Sequence, residues 1–209
     1  MSSTLSPQPS KPSPPRSPTD WFSSDHHFGH ANIIKYCNRP FADVTEMREE
    51  LIRRHNEVVK PGDMCFFLGD FAFLKDPLEV AAILARMNGY KALITGNHDG
   101  ISVTESLGWY MVKDRVLELH PTVGSDTGPK YRSAFGKYPV TLSHFPHLSW
   151  HSSHKGAISL HGHTHGGLSF DPTLRRMDVG VDTHDYYPWS LDEVIAKLAK
   201  VPAPVRKHE

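Results

Sequence analysis

Histidines and aspartates in this 209-residue chain are grouped as metal chemistry requires. Of its 15 histidines, His26, His27 and His30 share one stretch, and His144, His147, His151 and His154 a second. His161, His163 and His165 form a third, with His98 standing between. Imidazole is the commonest metal ligand and the usual proton shuttle near neutral pH. With the neighbouring Asp25, Asp70 and Asn97, the candidate ligand set is Asp25, His27, Asp70, Asn97, His144, His163 and His165. It mixes hard oxygen with imidazole nitrogen and contains no thiolate, which suits Mn²⁺, Fe or Zn²⁺ and disfavours structural zinc and iron–sulfur sites. The set exceeds what one tetrahedral ion uses and fits two ions sharing one carboxylate. Paired ions about 3.5–4 Å apart clamp a phosphoryl group and lower the pKa of a water between them.

The elements that must position these groups are legible as an alternation of short apolar runs and amphipathic helices. Runs at Trp21–Ser24, Met64–Leu68, Lys91–Thr95, Val140–Ser143 and Ala157–Leu160 read as strands, as do Met111–Leu119 and Met177–Val181. Asp43 to Val59 reads as a helix capped by Asp43 with Glu46 three residues on. Asp76 starts another, with Pro77 at its first position, Glu79 completing a capping box and Gly89 closing the end. Ser190 with Glu193 caps a final helix that buries Leu191, Val194, Ile195 and Leu198. Strands interleaved with helices indicate an α/β layered domain.

Five of the runs end in a metal-capable residue: Asp25, Asp70, Asn97, His144 and the cluster His161 to His165. In open α/β sheets, functional side chains gather in the loops at the carboxyl ends of strands. If these strands share one sheet, the clusters meet in one cleft.

The blocks Asp25-His26-His27, Gly69-Asp70, Gly96-Asn97-His98-Asp99, His144 and Gly162-His163-Thr164-His165 resemble, in order, the signature of calcineurin-like metallophosphoesterases. The stretch from Ser24 to His30, followed by Asn38-Arg39-Pro40-Phe41, is similar to a small capless bacterial and phage-type branch of that family. The resemblance implies a layered β-sandwich flanked by helices. It implies two divalent ions, Mn²⁺ before Fe or Zn²⁺. Asp25, His27, Asp70 and His165 would hold one, and Asp70, Asn97, His144 and His163 the other. It also implies hydroxide held between them as the nucleophile, with His98 as the general acid that protonates the leaving oxygen.

One departure narrows the reaction. Protein Ser/Thr phosphatases continue the second block as GDxxDRG, whereas this chain reads Gly69-Asp70-Phe71-Ala72-Phe73-Leu74-Lys75. The Asp that would orient the catalytic histidine and the phosphate-binding Arg are both missing. Asp99 is either a substitute partner for His98 or a brace for its own loop. Arg39 is the candidate phosphate clamp, because guanidinium binds phosphate bidentately, and His30 the second candidate for substrate contact. His26 is left free by the DxH pattern and is read as exposed or as packing beside the ligands. His161 is read as supporting the ligands, and His55 and Cys65 as core. His147, Trp150, His151, His154 and Lys155 make either a lid or a polar loop around one anchoring Trp.

Composition bounds the rest. With 23 basic and 23 acidic residues the formal net charge is zero, so no long nucleic-acid footprint is expected. Two cysteines, no apolar run long enough to span a bilayer and no secretory leader indicate a cytoplasmic protein with no membrane partner. Residues 1–19, rich in Ser and Pro, are expected to be a disordered tail, residues 20–200 the metallophosphoesterase domain, and residues 201–209 a second tail. The expected function is hydrolysis of a phosphomonoester or phosphodiester, small or nucleotide-like. A nuclease acting on short or single-stranded ends is the first alternative, and a non-catalytic scaffold on the same fold the second.

Overall fold

The computed structural model describes residues 18–120, 132 and 134–202. The terminal tails, apart from Pro18, Thr19, Val201 and Pro202, lie outside them.

Two mixed sheets carry the fold. The first has the order β4-β3-β2-β1-β9, built from β1 (Asp20–Ser23), β2 (Met64–Phe67), β3 (Tyr90–Ile94), β4 (Met111–Lys113) and β9 (Trp189–Ser190). Strands β1 to β4 are parallel, and β9 runs antiparallel to β1. The second has the order β5-β6-β7-β8, from β5 (Val116–Leu119), β6 (Val140–Ser143), β7 (Ile158–His161) and β8 (Arg176–Asp178). Here β6 to β8 are parallel and β5 is antiparallel to β6. The five clustered runs therefore divide between two sheets instead of sharing one. They still converge, because Ser24 at the end of β1 bridges to Gly180 just beyond β8.

Alternation along the strands sorts their side chains into two cores. Phe22, Phe66, Ala92 and Ile94 of the first sheet meet Val140, Leu142, Ile158, Leu160 and Met177 of the second in one apolar cluster. Cys65, Phe67 and Leu93 point the other way. They pack against Ile33 of α1 (Ala31–Tyr36), Met47, Leu51 and Ile52 of α2 (Val44–Val58), and Val80, Ile83 and Leu84 of α3 (Pro77–Arg86). A short α4 (Ile101–Thr104) follows β3, and α5 (Leu191–Leu198) sets Leu191, Val194 and Leu198 into the first core.

The caps follow the sequence with small differences. Asp43 accepts from the backbone of Thr45 and Glu46, while the Glu46 carboxylate reaches back one residue further, to Ala42 N–H. Asp76 caps through Leu78 N–H, and the reciprocal box at Ser190 and Glu193 forms in full. Gly89 lies beyond the end of α3, whose last residue is Arg86. The run Met111–Leu119 is two strands, not one. Between them Arg115 adopts a left-handed φ of 61°, and Thr95 Oγ1 donates to Asp114 while accepting Arg115 N–H. That break passes the chain from one sheet to the other.

His55 is 1% exposed on the buried face of α2, where its ring stacks on Phe67 and Nε2 donates to Asn88 O. Burial pushes its pKa down from 6.5 to about 4. Below the unfolded value the unfolded chain binds a proton that the folded chain refuses, so this contribution is lost as pH falls from 6.5 towards 4. We expect wild type to lose about 2 kcal/mol more than His55→Gln between pH 7.5 and pH 5. Urea midpoints at the two pH values measure the difference, and parallel losses would refute it.

Candidate metal centre

The loops after β1, β2, β3, β6 and β7 bring the candidate ligands together. In one group, ligand atoms of Asp25, His27 and His165 all lie within 4.8 Å of one another, and in a second so do those of Asp70, His144 and His163. Asp70 joins the two: its Oδ2 is 3.7 Å from His27 Nε2 and 3.5 Å from His144 Nε2. Asn97 Oδ1 sits 3.0 Å from His144 Nε2, and His163 Nδ1 is 3.2 Å from the same atom. Either group could hold a metal ion.

These loops are tight for a reason legible in the chain. Asp25, His27, Asp70, His163 and His165 all take left-handed backbone, with φ between 47° and 70°. For residues bearing a Cβ that conformation costs about 1–2 kcal/mol each, strain that a fold retains where function requires it. Gly96 and Gly162 let the loops close up. A Cβ on Gly96 would sit 2.6 Å from Asp70 N, and one on Gly162 would sit 2.5 Å from Asp25 Oδ2.

Hydrogen bonds fix the imidazole tautomers. His144 Nδ1 donates to Leu68 O at 2.8 Å, and His165 Nδ1 donates to Asp182 Oδ2 at 2.7 Å. Each ring thereby turns its Nε2 lone pair inward, as metal-ligating histidines do. Burial pushes the Asp25 carboxyl up to about 7, against the pull of His165 and His144. At Asp70 burial also raises the pKa, but the His144 hydrogen bond and charge overcome it and hold the group down to about 2. Burial takes His27 down to about 3, so it stands as a neutral imidazole. Asp25 Oδ1 and His27 Nε2 are buried, with no hydrogen-bond partner among the described residues. A buried carboxylate oxygen and a buried imidazole nitrogen left facing each other are costly, and a shared divalent cation satisfies both.

His98 is placed at the mouth of this cluster, its side chain 45% exposed and Nε2 3.9 Å from Asp70 Oδ2. Asp99 does not face it. Its carboxylate accepts from the N–H groups of Asp70, Phe71 and Gly96, bracing one ligand loop against another. Phe73 instead supports the His98 ring, with centroids 4.5 Å apart, and stacks on His30 at 4.0 Å on its other side. His30 thus borders the mouth.

Arg39 is placed elsewhere than the phosphate-clamp reading expects. It is 4% exposed, and its five donors are all engaged: with both oxygens of Asp182, the carbonyls of Asp25 and His26, and Met47 Sδ. None is left to face a substrate. His26 is not exposed but packed among Phe28, Phe67 and Phe71. His161 is buried, its Nδ1 donating to Gly162 O at the start of the last ligand loop. Trp150 is buried and donates to Ala157 O, while His151 pairs with Glu118 at the surface, which favours the anchored-loop reading of residues 147 to 155.

Two residues escaped the sequence reading. Asp182 orients His165, and Asp178 accepts from Thr164 Oγ1 and the N–H of Gly166, pinning the loop that bears His163 and His165. The signal was available: Met177–Val181 is a sixth run that ends in a metal-capable residue, Asp182. Cys37 also lies near His165 and Asp182 in a ligand-like group. Because Arg39 and His165 already occupy both Asp182 oxygens, an ion there would have to break a buried ion pair.

Known proteins share this sequence along most of its length. An uncharacterised protein of Methanocaldococcus jannaschii is 34% identical over 183 residues, which cover 85% of this chain and 89% of the relative. This chain belongs to its family. The gene 66 proteins of Mycobacterium phages L5 and D29 fall in the same group, 31% and 30% identical over 86% and 92% of their own lengths and 78% and 83% of this chain. No family model matches. The solved structure of a protein of unknown function from Aquifex aeolicus superposes with a TM-score of 0.61 at 22% identity, covering 86% of this chain and 98% of that one. This chain therefore shares its fold. A nuclease, MPE, of Pseudomonas putida overlaps at a TM-score of 0.37 and 21% identity over 70% of this chain and 61% of its own, too loosely to bear on function. Among the described residues, no helix is long and apolar enough to cross a membrane.

Proposed function

We propose that this chain is a two-metal phosphoesterase of calcineurin-like architecture, hydrolysing a small phosphomonoester or phosphodiester. The observation that carries the reading is Asp70, whose single oxygen Oδ2 lies within 4 Å of ring nitrogens from both ligand groups. Asp25, His27, Asp70 and His165 would hold one divalent ion, and Asp70, Asn97, His144 and His163 the second. Oxygen and imidazole donors in this mixture suit Mn²⁺, Fe or Zn²⁺, and the family resemblance favours Mn²⁺ among them. When bound, the pair supplies Lewis acidity that polarises a phosphoryl group and acidifies water. The chain's own residues supply the rest. The loops hold the ligands in strained, fixed positions, so little reorganisation accompanies reaction. His98, half-exposed with Nε2 3.9 Å from Asp70 Oδ2, would deliver the proton that a leaving alkoxide needs near neutral pH.

Metal-free protein reconstituted with Mn²⁺ should hydrolyse p-nitrophenyl phosphate or bis-(p-nitrophenyl) phosphate, and the protein before reconstitution should not. Absence of turnover on both esters with every first-row divalent metal would overturn the reading.

A further inference from the structure

Arg39 has no access to the cleft, yet its contacts converge on a single ligand group. Nε and Nη2 each donate to one oxygen of Asp182, both at 2.8 Å. Nη2 and Nη1 also donate to the carbonyls of Asp25 and His26 at 2.7 and 3.0 Å. Those carbonyls belong to the turn in which Asp25 and His27 are both left-handed, with φ of 59° and 53°. Asp182 Oδ2 in turn accepts His165 Nδ1–H. One planar guanidinium therefore fixes the backbone that carries Asp25 and His27 and, through one carboxylate, the ring of His165. The other group has further anchors of its own, since His144 leans on Leu68 O and the Asp70 loop on Asp99, and it meets the Asp25–His27 turn through N–H bonds of Asp25 and His27 to Gly69 O and Asp70 O and of His163 to Asp25 Oδ2.

Stability alone does not explain such a pair. Burying two charges costs several kcal/mol of desolvation per ion, and apolar side chains of similar volume do as well or better. What the pair supplies is geometry, because the rigid fork matches a carboxylate bidentately and a lysine cannot.

We infer that Arg39 is a positioning residue, acting through Asp182 and the Asp25–His26 backbone, that sets the affinity of the metal site at Asp25, His27 and His165 and leaves the site at Asn97, His144 and His163 unchanged. The inference rests on the two-ion reading above.

Calorimetric titration of the metal-free full chain with Mn²⁺ tests it, using wild type, Arg39→Lys and Asp182→Asn, with circular dichroism to verify the fold of each. Wild type should bind two equivalents. Each variant should keep one at the wild-type affinity and bind the other about 10–100-fold more weakly. Two equivalents at unchanged affinity in the variants, or equal weakening of both, would overturn the inference while leaving the two-ion reading intact. Fewer than two equivalents in wild type would instead overturn the two-ion reading, and this inference with it. If Arg39→Lys fails to fold, Asp182→Asn decides, because the amide keeps the shape and one acceptor. If neither variant folds, the pair is a determinant of the whole domain and the assignment to one site is wrong.

Discussion

Replacing Asp70 with Asn is expected to leave a folded protein that binds neither ion tightly and has lost about three orders of magnitude of turnover. The fold should survive because the backbone contacts of this residue do not need the charge. Its N–H donates to Asp99, and Oδ1 accepts His98 N–H, which an amide oxygen also does. The chemistry should not survive, because Oδ2 lies between the two candidate groups, near His27 on one side and His144 on the other. An amide oxygen carries no net charge and bridges two cations poorly. A loss of several kcal/mol of transition-state stabilisation corresponds to about 10³-fold in rate. The effect differs from that of Arg39→Lys, for which a single equivalent should weaken. Metal content after gel filtration, with initial rates on a nitrophenyl ester, measures both parts. If Asp70→Asn kept two equivalents at wild-type affinity, Asp70 would not be the bridge and the two-metal assignment would need another shared ligand.

Asp70 is legible in the sequence as one of several metal-capable residues at the ends of apolar runs, whereas its place between two ions is what the family resemblance implies. Gly69-Asp70, Gly96-Asn97 and Gly162-His163 each place a glycine between an apolar run and a ligand. The structure gives the reason at Gly96 and Gly162, where a Cβ would run into Asp70 or Asp25. Periodicity likewise marked α2, α3 and α5, whose apolar faces and caps are local properties. Features that depend on distant partners were not legible. Met111–Leu119 is rich in Val and Leu on both sides of Lys113-Asp114-Arg115, and the Thr95 contacts of Asp114 and Arg115 mark where it leaves one sheet for the other. Arg39 misled for a similar reason. A guanidinium near a predicted phosphate site looks like a clamp until Asp182, 143 positions away, is seen to occupy it. The aromatic support of His98 by Phe73 follows the same rule, since stacking has no sequence spacing of its own.

That support bears on the second large effect. His98→Asn is expected to retain both ions, because His98 belongs to neither ligand group and its side chain is largely outside the cluster. Turnover should nonetheless fall by about 10²–10⁴-fold on esters whose leaving group is an ordinary alcohol, the range a positioned general acid contributes. The size of the loss should depend on the leaving group. A nitrophenolate departs with little need of a proton, so the same variant should lose far less on p-nitrophenyl phosphate than on an alkyl ester. A residue that merely oriented the substrate would cost both esters equally, and a residue that held a metal would lower metal content as well. Phe73→Ala gives an intermediate case. It removes the ring against which His98 rests at 4.5 Å without touching its nitrogens, so the loss should follow the same leaving-group order at smaller amplitude. Equal losses on alkyl and nitrophenyl esters in His98→Asn would rule out proton delivery and leave His98 only a binding role.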